Sequence, residues 1–265
     1  MRRTARAMPA LLRIGFAETV AYRAEFVIWM LTTTMPLVML GLWTSVAAEA
    51  PFRGFGQRDF VAYYLATLIV RNVTSSWVVW QINEEIRQGN LSMRLLRPIH
   101  PFASYAATHL SAVPLRTLIA IPMAVVLLVT SARDVLATSP VDLALFGVSL
   151  IGAWVLTFFV LVTIGTLAFW VDRSMGLFDV YMGVFAVLSG YLIPLALLPG
   201  WMQDVAAHAP FRYMLSVPVE ILIGRLHGAD AAWQVVTQLA WATAAVLGAR
   251  ALWKVGVRRY EAYGA

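Results

Sequence analysis

Long apolar segments without charge constrain this chain more than any other feature. Residues 26–47 contain no charged side chain, and neither do residues 143–170. Both segments are long enough to cross a bilayer, because a helix needs about 20 apolar residues to span about 30 Å of hydrocarbon. Hydrophobic residues make up 60% of the 265 residues and charged residues only 13%, too few to cover a water-soluble fold. The sequence therefore predicts an all-α membrane protein.

Six transmembrane helices are predicted, in one transmembrane domain that covers residues 1–265. The predicted spans are residues 26–47, 60–80, 109–130, 143–170, 176–197 and 232–253. Arg and Lys residues outside the spans fall mostly on the side of the N-terminus, and basic loops favour the cytoplasm. Both termini are therefore expected in the cytoplasm, in a bacterial-type inner membrane. These loops also account for the net charge of +6 without a nucleic-acid partner.

The N-terminal residues 1–24 are basic and amphipathic. Arg13 interrupts the apolar run that a signal peptide would need. A helix of this kind lies in the bilayer interface and is attracted to the anionic cytoplasmic leaflet. We expect a retained interfacial helix; the alternative is a disordered basic tail.

The sequence offers no catalytic site and no metal site. There is no cysteine, and the four histidines lack the spacing of metal ligands. Paired carboxylates within a span and a Ser/His/Asp arrangement are also missing. We therefore expect a protein that is not an enzyme by itself and that carries no cofactor.

The longest polar break on the predicted cytoplasmic side is residues 81–101, QINEEIRQGNLSMRLLRPIHP. Its first part has helical composition, and Gly89 followed by Asn90 predicts the helix stop. Arg94, Arg97 and Pro98 either contact a soluble partner or anchor the return into the bilayer, and we favour anchoring. A charged segment between two spans suits contact with a soluble partner, and the alternative is a solvated loop with interfacial arginines.

Two runs of sequence resemble a known family. INEEIRQGNLSMRLLRPIHP strongly resembles the loop after the second span of ABC transporter permeases of the type-2 exporter class. LSGYLIPLALLPGWMQDVAAHAPFRYMLSVPVEILIGRL is similar to the segment that follows the fifth span in that family. The whole chain, with its basic amphipathic start, fits the same pattern.

The resemblance implies a permease subunit that dimerises, with itself or with a similar chain, and binds a separate ATP-binding subunit. It places a cytoplasmic coupling helix at residues 83–88, whose implied contact residues are Asn83, Glu84, Glu85, Arg87 and Gln88. The sequence lacks a GxxxxGK[ST] run, so ATP and Mg²⁺ are expected on the partner. The implied function is export of a hydrophobic or amphiphilic substrate from the cytoplasm or the inner leaflet.

A buried charge marks the second predicted span. Tyr64, Thr67, Arg71 and Ser75 are spaced by three or four residues and share one helical face. Arg71 either lines a translocation path and binds an anionic group, or is a structural residue satisfied by carbonyls or a carboxylate. Arg116 is expected to form a structural ion pair with Asp179 or Asp172.

Residues 199–230 are apolar but interrupted by prolines and glycines, so a continuous span is not expected. Two short helices that dip into the outer leaflet would form an outer re-entrant helical hairpin between spans five and six. Pro199, Trp201, Pro210 and Pro218 are its candidate gate residues. The alternative is an amphipathic cap on the outer surface.

Two other functional classes fit a polytopic membrane protein. An ion-gradient-driven secondary transporter or channel usually carries acidic residues inside its spans. This sequence has Asp179 at the edge of a predicted span and no mid-span Asp or Glu, which disfavours that class. An intramembrane enzyme is disfavoured because no catalytic constellation is found.

Overall fold

The structure is a computed structural model, and it describes residues 2–21, 35–136, 139–171 and 174–260. Regular structure in these ranges is helical, apart from one antiparallel bridge between Phe52 and Phe55. Two short 3-10 turns follow α8 and α9, at Leu167–Phe169 and Leu195–Leu197. The α-helices are α1 Arg2–Ala21, α2 Met35–Val46, α3 Gln57–Thr74, α4 Val78–Arg87, α5 Leu91–Leu95, α6 Pro101–Ser111, α7 Val113–Val135, α8 Pro140–Thr166, α9 Ser174–Leu188, α10 Gly200–His208, α11 Pro210–Met214, α12 Ser216–Leu222 and α13 Gly228–Arg259.

Two helices in the described ranges are long and apolar enough to cross a membrane. They are Pro140–Phe169, with 30 residues, and Gly228–Arg259, with 32 residues. At 1.5 Å per residue each is at least about 45 Å long, more than the hydrocarbon thickness. A third candidate span runs through α6 and the first part of α7. It consists of two straight pieces, Pro101–Leu118 and Ala120–Val126, and counts as a span only if the bent pair is taken together. The helical membrane fold is thus shown, whereas six spans remain a prediction.

The bend in this third candidate has a local cause. Its two helices meet at an angle of 41° between Leu118 and Ala120. Pro122 lies inside α7, four residues after Leu118. A proline ring clashes with the carbonyl four residues earlier and removes one helical hydrogen bond, which bends the helix at this point.

Three other predicted spans correspond to shorter helices. Of residues 26–47, the structure describes α2, and residues 26–34 lie outside the described ranges. The predicted span 60–80 is divided between α3 and α4 at Ser75–Trp77. In the predicted span 176–197, α9 ends at Leu188, and Gly190 adopts a φ of +84°, which glycine tolerates better than other residues.

The amphipathic N-terminal segment is helical as predicted, from Arg2 to Ala21. It packs against α6. The two helices are close at Gly15, because a Cβ at this position would clash with the Ser111 side chain. The helix therefore has a protein surface on at least one side, and its depth in the bilayer interface remains a prediction.

The centre of the bundle is α8, which packs against α13, α4, α12 and α3. Gln238 of α13 is fully buried, and its Nε2 donates to the carbonyls of Ser149 and Tyr213, at 3.0 and 2.6 Å. A buried amide needs such partners, because an unpaired polar group in an apolar interior is costly. The pairing fixes α13 against α8 and α11.

Candidate functional site

The predicted coupling helix is the second half of α4. Ile82 and Ile86 are buried against the bundle, whereas Glu84, Arg87 and Gln88 are exposed. Apolar residues four apart share one side of a helix, so α4 has a core face and a solvent face. Its boundary confirms the predicted stop, because the helix ends at Arg87 and Gly89 has a φ of +76°.

Two of the predicted contact residues point inward. Asn83 is only 6% exposed, and its side-chain amide donates to the hydroxyl of Ser174 at the start of α9. Glu85 is half-buried and faces α5 and α6. Of the five predicted contact residues, the exposed ones are therefore Glu84, Arg87 and Gln88.

Glu85 is the centre of a hydrogen-bonded network, which we call the Glu85 clamp and which consists of Glu85, Arg94, Ser104 and Tyr105. Arg94 Nε donates to Glu85 Oε2 at 2.7 Å, and Tyr105 Oη donates to the same oxygen at 2.6 Å. Arg94 Nη1 also donates to Ser104 Oγ at 2.7 Å, and the guanidinium lies 4.2 Å from the Tyr105 ring centroid. The clamp joins α4, α5 and α6 into one unit.

Arg94 therefore has a role other than the predicted contact with the bilayer. Partial burial by itself would lower the pKa of Arg94, but the hydrogen bonds and charge of Glu85 outweigh it and raise the pKa overall. The guanidinium remains charged, and its nearest groups belong to the protein. Arg97 is exposed at the end of the segment, where an anchoring role remains a prediction.

A cavity of about 320 Å³ opens between α4 and α5. Met93, which lines it, is 67% exposed, and Leu96, just after α5, is 80% exposed. The sequence alone did not distinguish these two residues from the buried Leu91. The cavity is lined by Gln81, Glu84, Glu85, Gln88, Asn90, Met93, Arg94 and Arg97.

A close helix contact sets the position of α4. A Cβ on Gly165 of α8 would lie 3.1 Å from Ile82 Cβ and 3.2 Å from the Val79 carbonyl oxygen. Only a residue without a side chain allows this separation without displacement. The solvent face of α4 is therefore supported from behind by the central helix of the bundle.

The second predicted site lies on α3. The Tyr64 hydroxyl donates to the Leu192 carbonyl at 2.8 Å, and Thr67 is fully buried. Arg71 is half-buried, with its guanidinium carbon 4.8 Å from the Phe185 ring centroid and 5.6 Å from that of Tyr191. This part of the predicted polar face packs against α9 and the turn that follows it.

Ser75 lies where α3 ends, and its carbonyl accepts a hydrogen bond from Arg116 Nη1. The Arg116 guanidinium also lies 4.6 Å from the Trp77 ring centroid. Asp179, one of the partners predicted for Arg116, is exposed on α9, and the other, Asp172, lies outside the described residues. Arg116 thus caps an open helix end, a role that sequence spacing cannot reveal because its partner is a backbone carbonyl.

The outer segment contains three short helices, where two were predicted. Pro199 precedes α10, Pro210 opens α11 and Pro218 lies in the first turn of α12, positions that proline tolerates. Trp201 is 68% exposed, whereas α12 is buried against α8 and α3. Such burial is what a re-entrant segment requires, because irregular backbone at membrane depth needs protein around it.

No three His, Asp or Glu side chains come together as a metal site among the described residues.

The fold and the α4–α5 segment together define a helical membrane protein with a prominent polar loop. A family model described as "ABC-2 family transporter protein" matches residues 28–264, and the chain belongs to that family. It is therefore an ABC-2 type permease. No curated protein matches the sequence.

Proposed function

We propose that this chain is the transmembrane subunit of an ATP-driven exporter and that α4 and α5 bind its ATP-binding subunit. The observation that carries the proposal is the solvent face of this segment. Exposed charges on α4 lie beside the exposed Met93 of α5 and the exposed Leu96 that follows α5, with a cavity between the helices. Charged groups around an apolar contact set register and favour association with a complementary surface.

The Glu85 clamp supports a coupling role. It links the proposed docking surface to α6, and α6 continues into α7 and the membrane. Asn83 links α4 to the first residue of α9 in the same way. Displacement of α4 by a docked subunit would therefore be passed directly to helices of the bundle.

The rest of the proposal follows from the family and the sequence. Nucleotide and Mg²⁺ are assigned to the partner, because this chain lacks a phosphate-binding glycine-rich loop. Two permease subunits, identical or similar, would enclose the route of a hydrophobic or amphiphilic substrate. Both termini are assigned to the cytoplasm, six spans to the inner membrane, and the α10–α12 segment, in which α12 is buried, to the outer exit.

Co-purification with a tagged full-length chain tests this function. The expected result is an ATP-binding subunit in the purified complex and ATP hydrolysis that is lost when the permease is removed. Glu84→Lys should release that subunit while the permease still inserts into the membrane. Absence of any ATP-binding subunit, together with transport that a protonophore abolishes at constant ATP, would contradict the proposal and favour an ion-gradient-driven transporter.

A further inference from the structure

Arg71 lies in the last turn of α3, within the second predicted span. It is fourteen residues after Gln57, the exposed start of α3, a rise of about 21 Å along the axis. The hydrocarbon layer is about 30 Å thick, so Arg71 would lie about 9 Å from its cytoplasmic boundary. An arginine keeps its charge in this environment and presents five N–H donors that need acceptors.

The surroundings of Arg71 provide aromatic faces but no carboxylate in the described part of the chain. The ion pairs found there are Arg94–Glu85, Arg212–Glu220 and Arg225–Asp59, all on other segments. Arg71 Nε is buried and has no hydrogen-bond partner among the described residues. The rings of Phe185 and Tyr191 stabilise the positive charge. The Tyr191 side chain also accepts a hydrogen bond from Arg71, so Nε is the donor that remains.

A second cation lies one helical turn away. The Ser75 N–H donates to the Arg71 carbonyl at 2.9 Å, and the Ser75 carbonyl accepts from Arg116. The two guanidinium groups repel each other, since Arg71 acts electrostatically on Arg116. Two positive charges in a low-dielectric region are unfavourable unless an anion lies near them.

Further donors line the same interface. Thr67 is one turn before Arg71, and Ser189 lies in the turn that carries Tyr191. Both side chains are fully buried, and neither hydroxyl has a hydrogen-bond partner among the described residues. Because buried hydroxyls are usually hydrogen-bonded, these two are candidate donors to a bound group.

We propose that Arg71, supported by Arg116, binds the oxyanion group of a phosphate or carboxylate at the break between α3 and α4. A planar guanidinium recognises both groups through paired hydrogen bonds. The aromatic rings beside it suit the apolar chain of an amphiphile, so the ligand is the anionic headgroup of a lipid-like substrate. This inference rests on the proposed function and narrows it from amphiphiles in general to anionic ones.

Ligand binding to the purified full-length chain in dodecyl maltoside micelles tests the assignment. The probes are hexadecyl phosphate, palmitate, zwitterionic hexadecylphosphocholine and inorganic phosphate, each titrated by calorimetry. The wild type should bind the two anionic amphiphiles at least about tenfold more tightly than the zwitterionic one. If inorganic phosphate binds as tightly as hexadecyl phosphate, the oxyanion bound by Arg71 belongs to a free anion and not to a lipid headgroup.

Three variants decide whether Arg71 is responsible. Arg71→Gln should weaken binding of the anionic probes by about tenfold, and Arg71→Lys should weaken it less, because lysine keeps the charge but not the paired hydrogen bonds. The control is Arg250→Gln, which removes one charge from an exposed position on α13 and should have no effect. Unchanged binding by Arg71→Gln, or an equal loss in the control, would overturn the inference.

Failure of this inference can be told apart from failure of the proposed function. The titration needs no ATP-binding subunit, and co-purification of that subunit needs no substrate. If the chain recruits the ATP-binding subunit but binds all amphiphiles with equal affinity, the proposed function stands and the anion site is excluded. Size-exclusion chromatography of each variant shows whether the protein is still folded and monodisperse.

Discussion

The carboxylate of Glu85 holds the guanidinium of Arg94 through two hydrogen bonds, across the turn at Gly89. Arg94 Nε lies 2.7 Å from Glu85 Oε2, and Arg94 Nη2 donates to Oε1. The two side chains are 17% and 16% exposed, so water screens this pair less than a surface ion pair. The position of α5 relative to α4 therefore depends on Glu85.

Glu85→Gln is expected to destabilise the α4–α5 segment by about 2 kcal/mol, because the amide cannot accept both hydrogen bonds from Arg94 and also the one from Tyr105. Thermal unfolding in detergent and limited proteolysis between Gly89 and Arg97 would measure this change. The matched control is Glu84→Gln on the exposed face of the same helix, which should leave both unchanged. Equal stability of the two variants would show that the clamp is not structural.

Glu84→Lys is expected to leave the stability of the protein unchanged and to weaken binding of the ATP-binding subunit. Glu84 is exposed on the solvent face of α4, so a reversed charge disturbs a partner and not the bundle. We expect a loss of about tenfold in affinity that becomes smaller at high salt. Pull-down at two salt concentrations measures it; unchanged binding at low salt would remove Glu84 from the interface.

Combined replacement of Met93 and Leu96 by Ser should also weaken this binding, by about tenfold, but without salt dependence. Both side chains are more than half exposed, and their burial against a partner would be an apolar contribution. The control is Phe52→Ser, which changes an exposed apolar residue in the loop between α2 and α3, on the predicted outer side. Binding of the ATP-binding subunit by the double variant at wild-type affinity would exclude α5 from the docking surface.

Arg116→Met is expected to lower stability by about 1–3 kcal/mol, since the Ser75 carbonyl at the end of α3 would lose its Arg116 donor. Arg116 is only 2% exposed, so water cannot easily take its place. The shift in thermal unfolding temperature in detergent measures the effect, with Arg250→Met as the exposed control. A variant as stable as the wild type would show that the helix end is satisfied by other means.

Gly190→Ala should destabilise the protein more than Tyr63→Phe. The Tyr63 hydroxyl donates to the Gly190 carbonyl at 2.7 Å, and losing this bond costs about 1 kcal/mol. A Cβ on Gly190 would lie 2.3 Å from the same hydroxyl, and its φ of +84° disfavours alanine. In the double variant the Tyr63 hydroxyl is absent, so the added Cβ no longer clashes with it. The double variant should therefore lose less stability than the sum of the two single variants; a loss equal to that sum would show that the strain lies elsewhere.

Several features of this protein were predictable from local sequence. The apolar composition predicted a helical membrane protein, and the family match to residues 28–264 agrees with the resemblance seen in the two loops. The stop of α4 at Gly89 and the long helix of residues 140–169 were also predictable. Each depends on hydrophobicity or on a backbone preference that acts within a few residues.

The sequence alone therefore determined the class of protein, the family and the end of α4 at Gly89. Only the tertiary structure decided that Glu85 points to Arg94 and not to solvent, and that Arg116 caps Ser75 and does not meet Asp179. Helical spacing shows which side chains share a face, but it does not show which neighbour covers that face. In an apolar bundle most faces look alike in sequence, so contacts between distant residues select the inward side.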